Sequence, residues 1–233
     1  MQYKPVTSLS GPFDPIPVHR LAQEGSGLDY ECELVAVIGR RCADVPESKA
    51  LDYVLGYAVG NDISHRDWQV KRGGGQWGLG KGFDAWAPFG PGIVSADVIK
   101  DPQALKITTR LNGKTVQASV RCPWSVDPDA NAPPGKLHGR YDFQREEDHR
   151  IPEPGDNSLA GRRYFYRDVS LRGFSCLTGY GRSLTVSTSP EGVGMGKNPP
   201  VWLKDGDVVD VSLEGVGTCT NKVEFASPEK WRL

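Results

Sequence analysis

The sequence predicts an α+β chain that is mostly β, and three stretches carry that expectation. In "ALKITTRLNGKTVQ", alternating residues flank Asn112-Gly113, the two-residue signal of a tight hairpin. In "PPVWLKDGDVVDVSLEGVGTCTNKVEF", Asp205-Gly206 and Glu214-Gly215 punctuate alternating Val-rich runs, an antiparallel signature. "ECELVAVIG", residues 31–39, is an apolar run that reads as a strand ending at Gly39.

Taken in order, residues 1–30 are dense in Gly and Pro and leave room only for short extended pieces. After the strand at 31–39, Ser48 is an expected N-cap, with Ala50, Leu51, Val54 and Leu55 at helical spacing. The run then turns into the β-branched and aromatic "YAVGNDIS". "KRGGGQWGLGKGFDAWAPFGP" is Gly-dense and reads as a loop followed by a short extended segment. Residues 118–187 lack sustained periodicity and are rich in Pro, Gly, Arg and Asp, so they are expected to be a poorly ordered or atypical insert. No linker asks for a second unit, and residues 1–233 read as a single domain.

Composition narrows the partners. A formal net charge of −1 argues against nucleic acid or an anionic membrane as a bulk electrostatic partner. No apolar run approaches the length of a membrane span. Five scattered cysteines, odd in number and without paired metal spacing, read as an intracellular, reducing setting. Cytoplasmic is the expected compartment, or mitochondrial if the native N-terminus is longer.

Candidate chemistry begins at Glu31 and Glu33. Side chains alternate along a strand, so the two carboxylates share a face while Cys32 and Leu34 point the other way. Two readings fit: a solvated strand face, or a cation held between the pair. Asp62, in "GYAVGNDISHRDWQ", ends an apolar run where a rigid scaffold often carries a functional group. The alternative is a turn aspartate. Three carboxylates without Cys or His partners suit a hard cation, Mg²⁺, Mn²⁺ or Ca²⁺, rather than zinc. Lys81, between glycines in "GLGKGFD", either pairs with a substrate carboxylate or is a solvated loop lysine. A phosphate-loop reading of that stretch fails, because the spacing is wrong and no Ser or Thr follows the lysine. His65 is the best placed of the four histidines, as a proton carrier or simply a partly exposed side chain. No arrangement supports a serine or cysteine nucleophile.

"LDYECELVAVIG", "ALDYVLGYAVGNDISHRDWQ", "QWGLGKGFDAWAPFGP", "DPQALKITTRLNGKTVQ" and "PEGVGMGKNPPVWLKDGDVVDVSLEGVGTCTNKV" together resemble the fumarylacetoacetate hydrolase family, nearest its oxaloacetate tautomerase-like branch. The resemblance spans roughly residues 3–117 and 189–225. It implies a mixed β-roll, a homodimer, and Mg²⁺ or Mn²⁺ on Glu31, Glu33 and Asp62. It also implies that Gln69 and Lys81 act on substrate and that Ser189 binds it through a hydroxyl. The substrate class so implied is a small 1,3-dicarbonyl or 2-oxo acid, cleaved by C–C hydrolysis or converted through an enolate by tautomerisation or decarboxylation.

Two departures from the family bear on activity. Its active hydrolases carry a His–Glu pair on a lid that precedes the equivalent of "YKPVTSL", which here begins at Tyr3, so this chain is expected to lack the lid. Thr188 stands where the family has a turn glycine, beside Ser189, and the unpatterned segment 118–187 points to an altered reading frame. A non-catalytic metal-binding paralogue is the alternative reading. A plain structural β domain is a third.

Overall fold

The computed structural model describes residues 2–40, 47–119, 175–179, 182–186 and 189–227. Among them run strands β1 (Gln2–Lys4), β2 (Leu9–Ser10), β3 (Ile16–Val18), β4 (Leu28–Asp29), β5 (Cys32–Ile38), β6 (Val54–Asn61), β7 (Ser64–His65), β8 (Ala87–Ser95), β9 (Ile107–Leu111), β10 (Lys114–Ser119), β11 (Ser175–Gly179), β12 (Arg182–Val186), β13 (Val208–Leu213) and β14 (Gly217–Phe225). They form a seven-stranded sheet in the order β1-β11-β12-β5-β6-β8-β2, a five-stranded sheet β10-β9-β13-β14-β3, and a short β4-β7 ribbon. Pairings are mostly antiparallel, with β1–β11, β2–β8 and β3–β14 parallel. The mostly β expectation holds: the α-helix among the described residues is one turn, α1 (Arg20–Gln23).

The hairpin is where the sequence puts it. Asn112 and Gly113 both adopt positive φ, 50° and 79°, the backbone that a two-residue turn needs to match strand twist. The helix expected after Ser48 is instead a 3₁₀ segment, Glu47–Tyr53, and Val54 already belongs to β6. A full helix would need "VLGYAVGN", and that run is claimed on both edges by β5 and β8. Tertiary pairing overrides the local spacing, and Leu51 and Leu55 are left exposed. Part of the stretch expected to lack pattern is also strand, since β12 pairs with β5 and β11 with β1. The other expectations for 118–187, and Thr188, lie outside the described residues.

β5 and β6 are covered on both faces, which explains their near-continuous apolar sequence. On one face Cys32, Leu34, Ala36, Tyr57 and Val59 pack against Ile107, Val209, Val211, Leu213, Cys219 and Val223 of the second sheet. On the other, Val35, Val37 and Ala58 join Ala87, Leu9 and Phe89 in a smaller cluster. Each buried aliphatic side chain contributes about 1.5–3 kcal/mol, and the two layers together fix the register of β5 on β6. Strand alternation then puts Glu33 on the face of Val35 and Val37, beside its cross-strand partner Gly60. A Cβ at Gly60 would sit 2.8 Å from Val35 Cγ2, so glycine is what lets the strands approach beside Glu33.

Candidate functional site

The carboxylates meet where β5 begins and β6 ends. The backbone there is closed by the Asp62 N–H donating to Glu31 O at 2.8 Å and the Glu31 N–H donating to Asn61 Oδ1 at 3.1 Å. One oxygen from each of Glu31, Glu33 and Asp62 lies within 4.8 Å of the others. Glu33 and Asp62 are buried, at 2% and 3% exposure, so the solvated-face reading of the glutamate pair is wrong. Folding has placed like charges together out of water, a costly arrangement without a cation.

Three protein cations surround them. Lys81 is fully buried, and its Nζ donates to Asp62 Oδ2 at 2.5 Å, Glu31 Oε2 at 2.6 Å and Ser64 Oγ at 2.6 Å. Lys4 reaches in from β1, with Nζ 2.9 Å from Asp62 Oδ1 and donating to the carbonyls of Lys81 (2.7 Å), Trp86 (2.9 Å) and Ile63 (3.1 Å). Arg66 contacts Glu31 Oε1 at 2.7 Å and holds Asp29 Oδ2 through both Nε and Nη2, each at 2.8 Å.

The electrostatics follow from burial and these contacts. Burial, then the neighbouring Asp62 and Glu31, raises the Glu33 carboxyl well above the usual carboxylate range. Burial pulls Lys81 down, but Asp62, Glu31 and Glu33 outweigh it and raise its pKa. Lys4 is lowered by burial, with Asp62 opposing. Glu33 Oε2 is buried and has no hydrogen-bond partner among the described residues. An oxygen-only set of three carboxylates with one such buried oxygen fits a hard divalent cation.

The other residues singled out from the sequence fall around this centre. Gln69 is buried on the π-helical turn Trp68–Arg72, and its Oε1 accepts from Arg66 Nη1 at 2.9 Å. It therefore joins the centre through Arg66 and Glu31. Ser189 sits apart, on a second network in which its Oγ accepts from Gln117 Nε2 at 2.9 Å. Gln117 Oε1 in turn accepts from Thr109 Oγ1 and the Cys32 N–H, the residue between the two glutamates. His65 is 1% exposed rather than partly exposed, and burial lowers its pKa. Its Nδ1 accepts from the Trp68 N–H at 3.4 Å. Cys219 is buried with its thiol pushed up to about 12 by burial, which is the opposite of an activated nucleophile.

Lys4, Asp29 and Arg66 were not singled out in the sequence. Asp29 accepts from the N–H groups of Gly194 (2.7 Å) and Met195 (3.0 Å), which ties the segment after Ser189 to the centre. A Cβ at Gly194 would fall 2.7 Å from Asp29 Oδ1 and closer still to the Val201 carbonyl, so this approach requires glycine. Arg66, Gly194 and Met195 lie 37, 165 and 166 residues from Asp29 in the chain, and no local motif announces them.

Comparison with known proteins fixes the kinship. The profile described as fumarylacetoacetate (FAA) hydrolase C-terminal matches residues 1–127, more than half of the chain. The chain belongs to the fumarylacetoacetate hydrolase family. It is 36% identical over 217 residues to the mitochondrial oxaloacetate tautomerase of Xenopus laevis, covering 93% of this chain and 55% of that protein. Among solved structures it is similar to the fumarylacetoacetate hydrolase of psychrophilic Exiguobacterium antarcticum, at 32% identity and a TM-score of 0.63, covering 94% of this chain and 64% of that one. It is also similar to 5-carboxymethyl-2-hydroxymuconate delta-isomerase from Mycobacterium smegmatis, at 30% identity and a TM-score of 0.60, covering 96% and 68%. The chain thus spans a little over half the length of the curated relative. At family level these are enzymes, hydrolases, tautomerases and isomerases of small acids. Among the described residues no helix is long and apolar enough to cross a membrane.

Proposed function

We propose that this chain is a divalent-metal-dependent enzyme that forms an enolate from a small 2-oxo or 1,3-dicarbonyl acid, with an oxaloacetate-like substrate as the leading case. The observation that carries this reading is the cluster of partly buried Glu31 with buried Glu33 and Asp62, whose oxygens lie within 4.8 Å of one another. These three would hold Mg²⁺ or Mn²⁺, with Ca²⁺ the larger alternative. When bound, such an ion supplies Lewis acidity to adjacent carbonyl oxygens and favours the enolate.

The chain's own residues account for the rest. Four carboxylates, Asp29, Glu33 and Asp62 buried and Glu31 partly buried, face three buried cations, Lys4, Arg66 and Lys81. Fully ionised, they leave one net negative charge. A dication reverses the sign to one net positive charge, which suits an anionic acid. The Lys81 ammonium, raised by its acidic neighbours, stays protonated at neutral pH and can pair with a substrate carboxylate or enolate oxygen. Arg66 and Gln69 hold one another beside Glu31 and so present a fixed donor set to the same space. Decarboxylation and tautomerisation share the enolate, the first reaching it by loss of CO₂ and the second by transfer of a Cα proton to solvent or buffer, whereas hydrolysis also needs a water activated as the nucleophile. The mitochondrial tautomerase relative supports the same choice of chemistry.

The test follows the ultraviolet enol absorbance of oxaloacetate with purified, folded protein in Mg²⁺ and then in EDTA. The expected result is a rate above the buffer control that disappears with EDTA and returns with Mg²⁺ or Mn²⁺. Equal rates with and without protein contradict the proposed activity and leave a non-catalytic paralogue.

A further inference from the structure

Each oxygen of Glu31 and Asp62 already faces a protein cation, and the three cations are not held alike. Arg66 takes Glu31 Oε1, Lys4 takes Asp62 Oδ1, and Lys81 bridges Glu31 Oε2 and Asp62 Oδ2. Moving Lys4 would strip a donor from three backbone carbonyls. Moving Arg66 would break its paired contact with Asp29 and its bond to Gln69. Beyond the two carboxylates, Lys81 Nζ donates to the Ser64 hydroxyl, and that hydroxyl also donates to the Asp62 carbonyl. Lys81 is therefore the cation that the site loses at least expense. Its backbone stays put, with its N–H on Gly78 O and its carbonyl under Lys4, so only side-chain torsions need change.

We propose that the Lys81 ammonium and a divalent cation exclude one another from the Glu31–Asp62 pair, so that loading the ion releases Lys81 to an anionic group of the substrate. This rests on the metal reading above and adds an order to it, ion before acid. The physical ground is that both cations need the same two oxygens. An ammonium at hydrogen-bond distance and an ion bound at about 2.0–2.5 Å would lie close together where water screens little. With the ion gone, Lys81 neutralises the pair and keeps the buried Asp62 and the partly buried Glu31 from repelling one another. With the ion in place, the amine is left with the substrate as its natural counter-charge.

The experiment is a calorimetric titration of MnCl₂ into the full chain as wild type, Lys81→Met and Ser64→Ala, with circular dichroism to establish folding. The exchange predicts that Lys81→Met binds Mn²⁺ at least about tenfold more tightly than wild type, having lost the competitor. Ser64→Ala, which removes one bond from the Lys81-bound arrangement, should bind about three- to tenfold more tightly. Wild-type binding with unchanged or weaker binding in the folded variants overturns the exchange and leaves the metal reading standing. Binding by none of the three overturns both. If Lys81→Met does not fold, Ser64→Ala decides alone: tighter binding supports the exchange, and equal or weaker binding overturns it.

Discussion

Asp62→Ala is expected to destabilise the protein by about 3–5 kcal/mol, the largest loss of any single substitution at this site. Asp62 is 3% exposed and pairs with two ammonium groups at once, Lys4 at 2.9 Å and Lys81 at 2.5 Å. Removing it strands Lys4 as a buried charge among backbone carbonyls and leaves Lys81 to Glu31 and Ser64 alone. Lys4, whose pKa burial already lowers, would then lose its proton more readily. Urea unfolding of wild type and variant in EDTA measures the difference without any contribution from a bound ion. A loss below about 1 kcal/mol, within the range of an ordinary exposed salt bridge, would show that this ion-pair cluster does not hold the fold together.

Glu33→Gln should behave in the opposite sense. Glu33 is buried on the strand face it shares with Val35 and Val37, its Oε2 has no hydrogen-bond partner among the described residues, and burial with Asp62 and Glu31 raises its pKa. Glutamine has the same shape and removes a charge that the apo fold disfavours. The variant is therefore expected to match or exceed wild-type stability in EDTA, by up to about 2 kcal/mol. The same change deletes a proposed ligand. Losing even an outer partner of a metal site typically costs 10–100-fold, so Mn²⁺ affinity should fall by at least about a hundredfold, with turnover lost alongside it. Stability gained while binding is lost would mark Glu33 as kept for function. A destabilised variant with intact Mn²⁺ affinity would make Glu33 a structural residue.

These two substitutions also mark what was legible in the sequence. Glu31 and Glu33 stand out because strand period alone aligns them, and the apolar run after them fixes the register that buries Glu33. Asp62 is legible because it ends a strand-like run, and the paired strands bring that end back to Glu31. The Asn112-Gly113 hairpin was readable for the same reason: two adjacent residues suffice to specify it. The 3₁₀ segment Glu47–Tyr53 was not, since what stops a helix there is pairing with β5 and β8, which is not a local property. Lys4 was the least legible of all. A lysine in a three-residue strand has no distinguishing neighbour in sequence, and its partners are 58 to 82 residues away.

The most direct measurement is anomalous X-ray diffraction at the manganese edge from crystals grown with Mn²⁺. The proposed centre predicts one strong peak within about 2.0–2.5 Å of an oxygen from each of Glu31, Glu33 and Asp62, with Lys81 Nζ moved off Glu31 Oε2. Fully occupied, well-ordered carboxylates with no anomalous peak between them, at millimolar Mn²⁺, would contradict the account at its centre.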